Sequence, residues 1–236
     1  MDFSPSAEQT ELVERARAFT KEFIGPNSMT HDRSGEFPRD ICREAFKQGF
    51  MNPHVPTEYG GSPHTVLDHC MVLEEMATGC SGIATAIDAN GLSQYPVILA
   101  GTDDQKRRFL APMTEELMFS AYAVTEPEAG SDVSRVKTTA TKVGNDYVLN
   151  GIKWWITNGS VASWYFVLAR VDDKPTGFIV PADSPGIIRG PKEINLGQHA
   201  SNTVRVSFED VKVAERDRLG DEGDGFSIAM KTFDHT

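Results

Sequence analysis

The spacing of apolar residues changes once along the chain, close to Met118. Before this point they recur every three or four positions, which is the spacing of helices that bury one face. After it they alternate in short runs, which is typical of β-strands. The pattern therefore predicts a helical part and then a β-rich part, and residues 226–236 predict the start of another helix.

Five helices are predicted before Met118. The first has Ser4 as its N-cap and ends at Gly25-Pro26, and the last opens with the capping-box spacing of Thr102 and Gln105 and ends near Pro112. The apolar face of the first helix consists of Leu12, Val13, Ala16, Phe19 and Phe23. The three helices between them cover about 38–49, 65–77 and 81–100.

Short strands are predicted after Met118, with turn residues between them and no helical pattern. The strands are 119–124, 136–143, 146–150, 152–157, 164–170, 177–180 and 203–208, and the turns include Gly144-Asn145, Asn158-Gly159, Lys174-Pro175 and Ser184-Pro185-Gly186. Closely spaced strands of this kind favour an antiparallel barrel or sandwich. No G-x-G-x-x-G segment follows a strand, so a Rossmann nucleotide site is not supported.

The segment Tyr122-Ala-Val-Thr-Glu-Pro-Glu-Ala-Gly-Ser-Asp132 combines a strand end with a turn. Pro127 breaks the strand, and Gly130 provides the free backbone geometry that the turn needs. The strand end and the turn present backbone N–H groups together with the hydroxyls of Thr125 and Ser131. Glu126 and Glu128 are expected to be solvated turn carboxylates without an acid/base role, and Asp132 is expected to close the turn.

A second segment, Trp154-Trp-Ile-Thr-Asn-Gly159, places Trp155 and Thr157 two residues apart, on one face of an extended chain. An aromatic plate beside hydroxyl and amide groups suits a flat aromatic heterocycle with a polar edge. For either segment alone, a β-domain with a tryptophan in its core is an equal alternative. Alternation does not decide which of Trp154 and Trp155 is exposed.

Together the two segments resemble the acyl-CoA dehydrogenases, most closely the medium-chain-like enzymes. The resemblance extends from about Phe3 to Thr236 and includes Asn195-Leu-Gly197, Phe208-Glu-Asp-Val211 and Gly225-Phe226. It implies an α+β multidomain fold with an N-terminal all-α domain (1–118), an antiparallel β-barrel middle domain (119–222) and the first helix of a truncated C-terminal helical domain (223–236).

The resemblance also implies an activity, which is the FAD-dependent α,β-dehydrogenation of a fatty acyl-CoA to a trans-2-enoyl-CoA in fatty acid β-oxidation. The resemblance further implies that electron-transferring flavoprotein is the electron acceptor and that the full-length form is a homotetramer. In a eukaryote the implied location is the mitochondrial matrix, and otherwise it is the cytoplasm. The family's catalytic glutamate lies in the C-terminal domain, so no catalytic residue is assigned and this chain alone is expected to be inactive. The alternatives are a non-catalytic flavin and acyl-CoA binding chain, one subunit of a split enzyme, and an acyl-CoA oxidase.

Site residues follow from the same resemblance. Those implied to bind FAD are Tyr122, Ala123, Val124, Thr125, Gly130, Ser131, Trp155, Ile156 and Thr157, with Trp155 over one flavin face and Thr157 near its edge. Those implied to bind acyl-CoA are Ser131 and, along the pantetheine arm, Phe233, Asp234 and Thr236, with Ala84 and Asp88 near the floor of the acyl pocket. The small Ala84 predicts a deep acyl tunnel, and ordinary helix packing is an equal alternative.

Composition limits the remaining classes of function. The chain has 236 residues, 39% of them hydrophobic and 24% charged, and no apolar run is long enough to span a membrane. A net charge of −11 argues against nucleic-acid binding, while helix N-termini and backbone amides can still hold pyrophosphate. The cysteines (Cys42, Cys70, Cys80) predict reduced core thiols, and the six histidines show no metal-ligand spacing, so no metal is expected.

Overall fold

The computed structural model of the protein describes residues 4–235. Within them, helices come first, a mostly antiparallel sheet follows, and one more helix comes after the sheet, as the apolar pattern predicts. The helices before the sheet are α1 (Ala7–Phe19), α2 (Ser28–Ser34), α3 (Arg39–Lys47), α4 (Val66–Gly79), α5 (Ser81–Asp88), α6 (Asn90–Ala100), α7 (Asp103–Phe109) and α8 (Pro112–Glu115). The final helix is α9 (Gly225–Phe233). None of the helices within residues 4–235 has both the length and the apolar composition of a membrane span.

The helix boundaries confirm some of the expected signals and correct others. The capping box of Thr102 and Gln105 is present, with both reciprocal hydrogen bonds formed. Ser6 caps α1 instead of the predicted Ser4, because Gln9 lies three residues after Ser6 and completes a capping box. The predicted helix 81–100 is divided into α5 and α6.

The chain also stays helical where the first helix was expected to end. After α1 it passes through a π-helical turn (Thr20–Ile24) and a 3₁₀ turn (Gly25–Asn27) directly into α2. Gly25-Pro26 therefore changes the type of helix and does not end it, since proline is tolerated in the first turn of a helical segment.

The strands are β1 (Ser120–Ala123), β2 (Thr139–Val143), β3 (Asp146–Thr157), β4 (Trp164–Val171), β5 (Lys174–Pro181), β6 (Ile187–Lys192), β7 (Thr203–Val213) and β8 (Arg218–Leu219). The predicted strands 146–150 and 152–157 are one strand, β3, and β6 and β8 were not predicted. Lys174-Pro175 starts β5 and is not a turn; the chain reverses one step earlier, where Asp172 has a φ of 51°.

These strands form one sheet in the order β6-β7-β3-β2-β4-β5-β8, and β1 pairs with β4. The pairs are antiparallel except for β1 with β4 and a single contact between β2 and β4. Among the described residues the strand order does not return to its start, because β6 and β8 each pair on one side only. The mostly antiparallel β part is thus confirmed, as an open sheet and not as the closed barrel that was expected.

Three apolar clusters hold these elements together. One lies within the sheet, and a second lies among the helices. The third cluster joins the two parts, since it contains Val97 and Phe109 from the helices, Trp164 and Phe166 from β4, and Ile228 from α9. The helices, the sheet and α9 therefore share buried surface, which fixes the walls of any cleft between them.

A fully buried lysine sits at the centre of the sheet. The ammonium group of Lys153 on β3 donates to Glu126 Oε1 (2.7 Å), to the Val124 carbonyl (3.0 Å) and to the Leu168 carbonyl (2.6 Å). Burial lowers the pKa of Lys153 to about 8, and the adjacent Glu126 opposes that change. All three ammonium donors thus have acceptors, as a buried charge requires.

Glu126 is buried as well, so the expectation of a solvated carboxylate is wrong for this residue. Besides the lysine, it accepts hydrogen bonds from the backbone N–H groups of Lys137 (2.6 Å) and Thr138 (3.0 Å). Burial acts to raise the pKa of Glu126, but the charge and hydrogen bond of Lys153 and these donors together lower it. Glu128, two residues later, is exposed and pairs with Lys137 at the surface.

We expect Glu126→Gln to lower the free energy of unfolding by about 3–5 kcal/mol, because it leaves the buried Lys153 charge uncompensated. Glu128→Gln is a matched control from the same turn, and it should leave the denaturation midpoint nearly unchanged because its ion pair is solvated. Urea denaturation at neutral pH measures both variants. Equal effects of the two substitutions would contradict the role given to the buried pair.

The stability that Glu126 contributes should depend on pH in one direction. The pKa of Glu126 in the folded state is lower than the ordinary value of 4.5. Its contribution to the free energy of unfolding is therefore complete above pH 4.5 and is lost as pH falls through the folded-state pKa. The difference in unfolding free energy between the wild type and Glu126→Gln should therefore narrow as pH falls below 4.5. Denaturation curves for both proteins at a series of acidic pH values test this expectation, and a difference that widens would refute it.

A candidate binding cleft between the helices and the sheet

A cleft with a volume of about 660 Å³ lies between the helices, the sheet and α9. Residues of α4, α5 and α6 form one side, the ends of β1 and β3 form another, and the end of α9 forms a third. Seven residues predicted from the resemblance line it, namely Asp88, Tyr122, Thr125, Trp155, Thr157, Phe233 and Asp234. The fold thus brings together groups that lie far apart in the sequence.

The other predicted site residues lie elsewhere. Ala123, Val124 and Ile156 are buried in the core behind the cleft wall, and Ala84 is buried in the helical core. Gly130 and Ser131 are exposed in the turn after β1 and are not among the residues that line the cleft. Thr236 lies outside the described residues.

A bulge in β3 decides which of the two adjacent tryptophans faces the cleft. The pairing of β3 with β7 shifts register between Lys153 and Ile156, so both of these side chains are buried. Trp155 has a φ of 56° and is 53% exposed, whereas Trp154 is half-buried and donates its indole N–H to Glu193 (2.8 Å). A bulky residue with positive φ is uncommon and strained, so the bulge holds Trp155 in its place at an energetic cost.

Aromatic contacts attach α9 to the sheet beside this tryptophan. The ring of Tyr122 stacks on Phe166 at a centroid distance of 5.2 Å and lies in a T-shaped arrangement with Phe233 at 5.8 Å. Burial of Tyr122 raises its pKa, so its hydroxyl stays neutral at physiological pH. Tyr122 and Phe233 together form an apolar wall of the cleft.

A buried amide network fixes the helical side of the cleft against the strand ends. Asn90, the first residue of α6, donates to Asn52 Oδ1 (2.9 Å) and to the Met118 carbonyl (3.0 Å). Its own Oδ1 accepts from the Ser120 backbone N–H (2.9 Å) and lies 3.4 Å from the Asn158 amide nitrogen. Because Asn158 directly follows Thr157, this network sets the position of the end of β3 relative to α6.

One side of the cleft carries a polar cluster that sequence spacing did not reveal. His69 Nε2 lies 2.5 Å from Asp88 Oδ1, and His54 Nδ1 lies 2.9 Å from the Tyr95 hydroxyl. The two imidazole rings meet edge to face at 4.5 Å. The pKa of His54 is lowered to about 4 by burial and by the neighbouring His69, so its ring is neutral near pH 7.

This cluster was missed because its members come from a loop, from α4 and from the end of α5, with no shared helical spacing. Cys70 also lines the cleft and is exposed, so the expectation of core thiols is wrong for this residue. Cys42 is buried as expected, and Cys80 is half-buried.

The cleft therefore has two chemically different regions. Near β1 and β3, an exposed indole lies with the hydroxyls of Thr125 and Thr157, which suits a flat aromatic ring system with a polar rim. Near α4, α5 and α6, apolar side chains such as Val66, Leu73 and Leu92 surround the polar cluster. Among the described residues, the cleft lining contains neither lysine nor arginine.

Comparison with protein families gives two matches. Residues 6–116 match the family described as the acyl-CoA dehydrogenase N-terminal domain. Residues 121–211 match the acyl-CoA dehydrogenase middle domain. The two matches cover most of the chain and follow the order of the helical part and the sheet.

Individual relatives and solved structures agree with these matches. Over its whole length, the chain is 44% identical to a protein of Caenorhabditis briggsae that is named a probable medium-chain specific acyl-CoA dehydrogenase 2, mitochondrial. The match covers 60% of that protein. The chain superposes with a TM-score of 0.94 on butyryl-CoA dehydrogenase from Megasphaera elsdenii, to which it is 35% identical. This match covers 100% of this chain and 64% of that chain. An acyl-CoA dehydrogenase complexed with FAD from Bacillus anthracis gives a TM-score of 0.91 with 31% identity over 97% of this chain and 41% of that chain. The chain spans about 60% of the length of the curated relative.

We expect Asn90→Ala to lower the free energy of unfolding by about 3 kcal/mol, since the Ser120 N–H, Asn52 Oδ1 and the Met118 carbonyl would be left buried without this partner. Asn150→Ala is the control, because Asn150 also makes reciprocal hydrogen bonds with Asp210 but is exposed. Urea denaturation compares the two variants. A cost for Asn90→Ala no larger than that for Asn150→Ala would show that the buried network does not hold the cleft walls.

Proposed function

The chain belongs to the acyl-CoA dehydrogenase family, and on this basis we propose that the whole protein is an FAD-dependent acyl-CoA dehydrogenase. It would convert a fatty acyl-CoA to the trans-2-enoyl-CoA, in fatty acid β-oxidation. The observation that carries the proposal is the cleft itself, which gathers Trp155, Thr157, Thr125 and the end of α9 into one site. These residues come from the two sequence segments that carry the family resemblance and from the helix that follows the sheet.

The residues of the cleft fit a flavin. Trp155 presents a half-exposed indole face, and strained backbone holds it in this position. Among the described residues, the hydroxyls of Thr125 and Thr157 have no hydrogen-bond partner within the chain, although both line the cleft. A flat ring system with polar edges would satisfy these hydroxyls and cover the indole. FAD, when bound, would supply the acceptor for the hydride that leaves the β-carbon of the substrate.

Each part of the cleft would then have a separate task. The Trp155 indole would cover one face of the flavin and exclude water, and the Thr125 and Thr157 hydroxyls would orient its polar edge. Tyr122 and Phe233 would form the wall against which the thioester arm lies. Residues proposed to contact flavin from the adjacent backbone are Ala123, Val124, Gly130, Ser131 and Ile156, and those proposed for the substrate are Ser131, Phe233, Asp234, Thr236, Ala84 and Asp88.

We assign no catalytic base within this chain. Asp88 is hydrogen-bonded to His69 among the helices, and Asp234 is exposed at the end of α9. The proposed domains are a helical domain (1–118), a middle β-domain (119–222) and a C-terminal segment (223–236). The separate cores of the helices and of the sheet support the first two. The proposed electron acceptor is electron-transferring flavoprotein, and the proposed assembly is a homotetramer. The proposed compartment is the mitochondrial matrix in a eukaryote and otherwise the cytoplasm.

We expect Trp155→Ala to weaken the affinity for FAD about ten-fold or more, because aromatic stacking on the ring system is lost. Trp154→Phe is the matched control, since Trp154 is the neighbouring indole but is half-buried against Glu193. Quenching of flavin fluorescence during titration of the protein measures both affinities. Equal losses in the two variants, or no FAD binding by the wild type, would contradict the assignment.

The proposed reaction has its own test on the full-length gene product. Anaerobic addition of acyl-CoA to the FAD-loaded protein should bleach the yellow flavin absorbance. Persistent yellow colour would exclude the dehydrogenase and leave a protein that only binds flavin and acyl-CoA. Rapid oxygen consumption with peroxide release would instead identify an acyl-CoA oxidase.

A further inference from the structure

We propose that His54, His69 and Asp88 form a binding site for one divalent transition-metal ion, with Zn²⁺ as the best fit. The site lies in the cleft wall that α4, α5 and α6 form. All three ligands belong to the helical part of the chain. The proposal therefore does not depend on flavin binding or on the proposed reaction.

The three side chains bring their ligand atoms close together. One ligand atom from each residue lies within 4.8 Å of the other two. Zn²⁺ binds histidine nitrogen and carboxylate oxygen at about 2.0–2.2 Å, which places two tetrahedral ligands roughly 3.4 Å apart. The His69–Asp88 pair lies at 2.5 Å, so these two ligand atoms would separate by about 1 Å to admit the ion between them.

The surroundings of His54 orient its ring for this role. The Tyr95 hydroxyl is hydrogen-bonded to Nδ1, which leaves Nε2 available for a metal. Gly91 makes room for the ring, since a Cβ atom there would lie 2.7 Å from His54 Cδ2 and 3.1 Å from Nε2.

The chemistry of the ligands indicates which ion would bind. Two imidazoles and one carboxylate favour Zn²⁺ and other first-row transition metals over Mg²⁺ and Ca²⁺, which prefer oxygen ligands alone. The open cleft leaves room for water as a fourth ligand. Without an ion, the His69–Asp88 and His54–Tyr95 hydrogen bonds would satisfy these side chains, and the titration below separates the two cases.

The test is a titration of the tag-free, EDTA-treated full chain with ZnCl₂ in competition with a chromogenic chelator. We expect one bound ion per chain, and an affinity reduced about ten-fold or more in each of His54→Ala, His69→Ala and Asp88→Asn. His64→Ala is the matched control, because His64 is exposed and lies outside the cluster. Cys70→Ser is a second control, because this exposed thiol lines the same cleft. Both controls should bind Zn²⁺ as the wild type does.

Circular dichroism of each variant separates loss of the metal from loss of the fold. If the alanine variants do not fold, the visible absorption of the Co²⁺-loaded wild type and of Asp88→Asn decides the question. Ligand-field bands of a four-coordinate site that weaken in Asp88→Asn support the site. Failure of the wild type to bind either ion, unchanged binding in folded His69→Ala, or a thiolate-to-cobalt band that Cys70→Ser removes would each overturn it.

Discussion

The buried ion pair between Lys153 and Glu126 is the constraint on which the cleft depends. The lysine joins the end of β1, the turn after it and β4, because its three hydrogen bonds go to Val124, Glu126 and Leu168. A charge at this depth is tolerated only while every donor has an acceptor, so the turn cannot move away from β3 without exposing or orphaning the ammonium group. The pair therefore couples the two sequence segments that form the sheet side of the cleft.

The position of the pair also explains the bulge beside it. Lys153 must point inward to reach its acceptors, and Ile156, three residues later, is also buried. Regular alternation would send residues 153 and 156 to opposite faces, so the register shift between them is required. The positive φ of Trp155 and its exposed indole follow from that shift. The polar interior of the sheet thus sets the aromatic surface of the cleft, while the Asn90 network places α6 opposite it.

The features that could be predicted from the sequence are those that local spacing controls. The change of apolar period located the boundary between helices and strands, and Thr102 and Gln105 located a helix start. The features that were missed depend on contacts between distant segments. The turn around Glu126 has the composition of a solvated turn, but Glu126 is buried. Its burial is stabilised by the ammonium group of Lys153, 27 residues away, and by the backbone N–H groups of Lys137 and Thr138. The histidine cluster and the sheet edges at β6 and β8, which are open among residues 4–235, likewise arise from tertiary packing.

The two regions of the cleft, the β3 end and the helical end, also differ in the charged groups that they offer. The lining offers the carboxylates of Asp88 and Asp234 and, among the described residues, neither lysine nor arginine. At the β3 end this matters little, because an indole and two hydroxyls recognise an uncharged ring system through its faces and edges. At the helical end, a carboxylate beside two imidazoles favours a cation. In the complex proposed above, the phosphates of FAD and acyl-CoA would lie where backbone N–H groups or helix N-termini can hold them, since these groups bind phosphate without net positive charge.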